Sequence, residues 1–344
     1  MVGLLLLLWG CSSTPNNDQM SDRDVLIRTS LDLRGVRPTT QEYEALESDP
    51  SQLDMLIDTF MEDVRFENRV SALFSEIYLT RTEAYAINAD SYGGVVSQAD
   101  FVQSIGQEAI RMVGRIAAQD RPWTDLVQGN WTMANETLGA IWPVTYPENQ
   151  QGWTLSEYTD GRPGAGILST NSMWWRYDST FSNANRKRAN QISRIFLCND
   201  YLLKKIEFDR NVNLLDQASI DDALAHNPAC INCHSSLDPL ASFLYGFWYL
   251  QQNNAVDLTH YHPEREQTWK RTTGVAPAYY GEPGYTLRDL GQHIAQDNQF
   301  IRCAVQQSWE LLLRRDATTA DIENLIQHRE VFLSNGLTIK PLFR

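Results

Sequence analysis

Apolar residues recur at helical spacing along most of the chain, and turn residues interrupt them at short intervals. In DRDVLIRTSLDL, Val25, Leu26, Leu31 and Leu33 fall near one face of a helix. Gly35 ends that pattern and Pro38 prevents its continuation. Thr39-Thr40-Gln41-Glu42 reads as a capping box: a threonine hydroxyl takes one free backbone N–H and the glutamate returns to another. A helix through Leu46 is expected next, then a break at Asp49-Pro50-Ser51, then a helix over 52–62. RFENRVSALFSEIYL sets Val70, Leu73, Phe74 and Ile77 on one face. Residues 98–119 give the longest clear helix of this half, with Val102, Ile105, Ile110, Val113 and Ile116 among its apolar positions.

From Arg121 the texture changes. Residues 121–142 mix short helices with turns, and 143–183 carry Pro, Gly, Asn and Trp without a period. A structureless loop of that length is uncommon unless it covers or binds something. Helix is expected again over 184–198 and in a short piece before 227. Residues 251–284 read as loop, and 286–315 and 318–334 as two closing helices. Strand signal is weak throughout, and there is no internal repeat. The expected fold is mainly α: helical modules joined by long irregular loops. At about 100–200 residues per domain, 344 residues suggest about two. The expected division is a tether over 1–20, a helical domain over 21–142 and a second helical domain over 143–344, in close contact.

Composition narrows the classes. Hydrophobic residues make up 42%, enough for a sizeable core. Lys+Arg 29 against Asp+Glu 43 gives a net charge of -14, which argues against a nucleic-acid partner, since that affinity comes mostly from cations on phosphates. No Gly-rich phosphate loop, Gly-x-Ser-x-Gly elbow or His-Glu-x-x-His pair occurs.

The chain begins with an apolar run, Leu4 to Trp9, then Gly10-Cys11 and the polar SSTPNNDQ. A membrane-spanning helix needs about 20 apolar residues, so this run fits the end of a secretory signal instead. Leu8-Trp9-Gly10-Cys11 resembles a bacterial lipobox, which makes Cys11 the expected lipidation site and the membrane a partner through that anchor. The absence of Lys or Arg before the run, and the bulk of Trp9, depart from the pattern. Export makes disulfides persistent. With Cys230 and Cys233 otherwise engaged, Cys198 and Cys303 are the expected bridge, against two free buried thiols.

The chemistry concentrates in NPACINCHSSLDP, residues 227–239. Cys230-x-x-Cys233-His234 is the attachment sequence of c-type haem. Two thiols one turn apart reach two vinyl groups, and the next imidazole becomes the proximal iron ligand. Three other readings compete. A dithiol redox pair leaves His234 unexplained, and no βαβ pattern surrounds it. Structural zinc needs four ligands, and no second knuckle appears. A disulfide within one turn is strained. Opposite the proximal histidine, Met173 in STNSMWWRY is the first choice of distal ligand, ahead of His260, His262 and His293, with Met133 and His226 also available. For each, core packing or an ordinary surface role competes. Asp238-Pro239 is expected to shape the backbone after the haem turn, with a nearby carbonyl orienting His234. Arg186-Lys187-Arg188 is expected to face solvent, unless it meets haem propionates or a partner.

These pieces occur in a familiar order. LIRTSLDLRGVRPTTQEYEAL (26–46), RPWTDLVQGNWTMANETLGAIW (121–142), GAGILSTNSMWW (164–175), NPACINCHSSLDPLASFLYGF (227–247) and TLRDLGQHIAQDNQFIRCAVQQSWELLLRR (286–315) follow one another. In this the chain resembles the planctomycete-type cytochrome c-like secreted proteins, over nearly its whole length. The resemblance implies an extracytoplasmic, haem-associated protein with a cytochrome c-like haem turn at Cys230, Cys233 and His234. It supplies no distal ligand and no substrate. The expected function is electron transfer through one covalent haem c, with an extracytoplasmic redox partner. A haem oxidoreductase with an open distal side, and a surface binding or assembly module with a structural haem, are the alternatives.

Overall fold

Ser21 opens α1 (Asp22–Arg34) by accepting the N–H of Asp24, and Gly35 closes it at φ 74°, left-handed backbone that glycine takes without steric cost. The Thr39–Glu42 capping box starts α2 (Thr40–Ser48), and Glu42 also holds Arg34 through hydrogen bonds of 2.8 and 2.9 Å. α3 (Leu53–Met61), α4 (Phe66–Tyr78) and α5 (Gln98–Ala118) follow, close to the ranges their periodicity predicts. α4 and α5 pack so closely that a Cβ on Gly114 would lie 2.2 Å from Ser71 Oγ and 2.4 Å from the Glu67 carbonyl oxygen. This is a computed structural model, and it describes residues 20–203, 212–213, 215–247 and 255–344. The Cys11 expectation lies outside them.

After α5 come α6 (Asp125–Gln128), β1 (Thr132–Ala134), α7 (Glu136–Ile141) and β2 (Thr154–Ser156). β1 and β2 pair antiparallel, with Thr132 opposite Ser156 and Ala134 opposite Thr154. That pairing bridges the boundary expected after residue 142, and one hydrophobic core takes in residues from Leu26 to Phe343. The two expected parts are in close contact, with buried residues of both in that cluster.

The stretch 143–183 lacks a period because polar contacts organise it. Glu108 of α5 is wholly buried and accepts from Thr132 Oγ1 (2.7 Å), Tyr158 Oη (2.7 Å) and the Ser172 N–H (3.0 Å). Arg162, also buried, pairs with Asp160 at 2.6 Å and donates to the Ser169 and Thr259 carbonyls. The Glu108 bonds seat β1 and α8 (Asn171–Arg176) against α5.

The second half contains α9 (Arg186–Leu197), α10 (Gln217–His226), α11 (Pro228–Ser242) and α12 (Ala255–Thr259). A minimal hairpin of β3 (Ala278–Tyr279) and β4 (Glu282–Pro283) leads to α13 (Leu287–Gln296) and α14 (Asn298–Leu313). The single helix expected over 286–315 is thus two. Asp297 adopts extended backbone (φ -79°, ψ 124°) and its side chain accepts the Gln299 N–H, so it caps α14 and ends α13. α15 (Ile322–Ser334) and α16 (Lys340–Phe343) close the chain, and α16 returns to the first helices. Phe343 meets Phe66 edge to face at 6.1 Å, and Lys340 reaches Glu62 at 2.7 Å and Asp120 at 2.8 Å. Among the described residues helix accounts for 63% and strand for 4%, so the fold is mainly α. Among the described residues no helix is long and apolar enough to cross a membrane.

Cys198, at the end of α9, is bonded to Cys303 of α14, with Cα atoms 5.3 Å apart. The bridge joins residues 105 apart in sequence and encloses α10 to α13.

Candidate functional site

Asn227 starts α11: its side chain accepts the Ala229 N–H, and Pro228 takes the first helical position, where its missing N–H costs nothing. The whole Cys230-x-x-Cys233-His234 sequence is therefore helical. Residues 230, 233 and 234 lie within one turn and a little more, and 238 stands one turn beyond 234. Pro239 sits inside the same helix, where it removes the hydrogen bond that would otherwise reach the Ser235 carbonyl.

Beside this helix lies an open cleft of about 800 Å³, within the range of about 300–1,000 Å³ usual for small-molecule and cofactor sites. α11 lines it with Ile231, His234, Ser235 and Asp238; Arg186 of α9 and Asp221 of α10 are among the facing residues. His234 Nδ1 stands 3.0 Å from Asp238 Oδ1. A carboxylate only accepts, so Nδ1 carries the hydrogen, and in the neutral ring Nε2 is the nitrogen with the lone pair. Arg186 grips the same carboxylate twice, Nε to Oδ1 at 2.6 Å and Nη2 to Oδ2 at 2.9 Å. Burial pushes the Asp238 carboxyl up, but the hydrogen bonds from His234 and Arg186 outweigh it and hold it below its ordinary value. The same contact raises Arg186 above its own.

The remaining expected residues are placed as follows. Cys230 is half-buried and Cys233 is 7% exposed; both are free thiols, with no bridge between them. Cys233 belongs to the core with Leu237, Leu240 and Tyr201, and neither sulfur lines the cleft. Met173 is wholly buried in the core and does not line the cleft, so the structure does not bring it together with His234. It stands in α8 just before two buried tryptophans, Trp174 and Trp175, and packs in the core. Met133 is equally buried, in β1. His226 faces Asp222; both ring nitrogens of His262 face oxygens, of Glu264 and Asp257; His293 stacks on Tyr279 with Nε2 3.2 Å from the Pro283 carbonyl. Neither these three nor His260 lines the cleft. Among the described residues there is no group of three or more His, Cys, Asp or Glu arranged to hold a metal ion.

Two participants escaped the sequence reading. Asp238 acts through its carboxylate, where a backbone carbonyl was expected; its i, i+4 spacing from His234 was the available signal. Arg186 and Arg188 do not form a solvated face. Arg188 is buried and donates to the Tyr177, Trp174 and Phe247 carbonyls, while Lys187 alone stays at the surface with Asp178. Nothing local in RKR announces a partner 52 residues away.

Against this geometry, comparison with protein-family models, with curated proteins and with solved structures gives no match.

The donor set can be tested against a c-type haem directly. His234 fits a proximal ligand, with Nδ1 donated to Asp238, Nε2 left for iron and a cleft alongside. Cys230 fits as a half-exposed thiol one turn before it. Cys233 fits by position on the helix but is covered by the core, so bonding at its sulfur has to precede the packing of α11.

Proposed function

We propose that the chain is an extracytoplasmic c-type haem protein that works in electron transfer, with a cytochrome c-like turn in α11. The observation that carries this is His234, placed next to Cys233 and four residues after Cys230, with its Nδ1 hydrogen committed to Asp238. Cys230 and Cys233 would hold the haem through thioethers, and His234 Nε2 would bind its iron. Haem so bound supplies an iron that alternates between ferric and ferrous states. The chain's own contribution is to orient. Asp238 fixes the imidazole ring, Arg186 fixes Asp238, and the disulfide between Cys198 and Cys303 ties the end of α9 to the body of α14. Lipid on Cys11 would anchor the protein to a membrane beside its redox partner.

A second reading is favoured by the placement of Met173 in the core: a haem oxidoreductase with an open sixth position. The reduced optical spectrum, taken on protein made in a host that matures c-type haem, separates the two. Sharp low-spin bands indifferent to carbon monoxide support electron transfer. A high-spin spectrum that shifts with carbon monoxide supports the oxidoreductase and rejects the first reading.

A further inference from the structure

We infer that Asp238 and Arg186 form a charge pair that positions His234 and sets how strongly its imidazole donates to a bound iron. The inference rests on the haem reading above and goes beyond it by assigning roles to two residues outside the attachment motif.

Three observations converge. The Asp238 side chain is 10% exposed, so its charge acts on His234 through little intervening water. All three short contacts of the pair close on it: Arg186 Nε and His234 Nδ1 on Oδ1 at 2.6 and 3.0 Å, and Arg186 Nη2 on Oδ2 at 2.9 Å. The backbone leading into Arg186 is strained, with Ala184 at φ 48° and Asn185 at φ 65° in succession. Left-handed backbone at residues other than glycine is unfavourable and persists where surroundings enforce it. Here it brings α9 in with Arg186 as its first helical residue, against a carboxylate on α11.

The chemical consequence has a sign. A carboxylate accepting from Nδ1 draws that hydrogen away and puts electron density on the ring, which favours the more positive, ferric iron. Arg186 offsets part of that negative charge. Removing the carboxylate charge should therefore raise the reduction potential, and removing the arginine charge should lower it. A pair that only props up the helix would give no such opposition.

The test compares Asp238→Asn and Arg186→Gln with wild type in haem-loaded protein, by redox titration, with circular dichroism as the folding control. Potentials shifted up in the first and down in the second are expected. Shifts of one sign, or none, in folded haem-loaded variants overturn the tuning while leaving the haem reading intact. Wild-type protein without covalent haem would sink that reading and the tuning with it. The positioning is read separately in haem-free protein, by nitrogen NMR of His234. The hydrogen should sit on Nδ1 in wild type and lose that preference in Asp238→Asn. A wild-type hydrogen on Nε2 overturns the assignment, even if one variant fails to fold.

Discussion

Replacing Cys198 and Cys303 together by alanine should cost much of the protein's stability, and the amount follows from the span of the crosslink. The bridge closes 105 residues of chain. Constraining a loop of that size removes roughly 16 cal/mol/K of chain entropy from the unfolded state, or about 4.7 kcal/mol at 25 °C. Cys303 is 1% exposed, so its truncation also loses packing in the core. A whole domain is typically stable by only about 5–15 kcal/mol, so the double variant should stand near the edge of folding. The assay is urea unfolding of oxidised wild type, reduced wild type and the double variant. The expected result is a much lower midpoint in the last two, the double variant lower than reduced wild type by the lost packing, with a steeper denaturant slope because an uncrosslinked chain exposes more surface. A loss below about 1 kcal/mol, or reduced wild type as stable as oxidised, would refute the reasoning.

Further outcomes can be checked independently. Gly114→Ala should destabilise by about 3 kcal/mol or more in thermal unfolding, because the added methyl meets the Glu67 carbonyl, which is backbone and cannot swing aside. Glu108 has its carboxyl pushed up by burial, so the folded state holds its proton above the pH at which the unfolded chain releases it. Its contribution is fully present below about pH 4.5 and is lost as pH rises through the folded pKa; Glu108→Gln should flatten that part of the stability profile, and an unchanged profile would contradict the assignment. In haem-free folded protein, alkylation should reach half-buried Cys230 well before core-bound Cys233, read by peptide mass; equal rates would contradict the burial of Cys233.

Local chemistry made part of this fold legible. Gly35, the Thr39–Glu42 box and the apolar stripe of α5 are all settled within a few residues, so their helices could be placed from sequence. The break at Asp297 was missed although Asp-Asn is a capping signal, because apolar spacing ran on across it. The stretch 143–183 could not be read at all: its order comes from Glu108 and Arg162, whose partners lie far off in sequence. The candidate site divides the same way. Cys230, Cys233 and His234 are a contiguous motif and Asp238 is one helical turn on, whereas Arg186 arrives through the packing of α9 on α11. Around Met173 the expected irregular stretch is instead the helix α8, and the neighbouring Trp174 and Trp175 are core.

The most direct test of the haem account is the intact mass of denatured protein, exported from a host that matures c-type haem, beside a Cys230→Ala/Cys233→Ala variant. The account predicts that wild type keeps the mass of one haem after denaturation and that the double variant loses it. Wild type with no added haem mass, or a double variant that keeps it, would contradict the account.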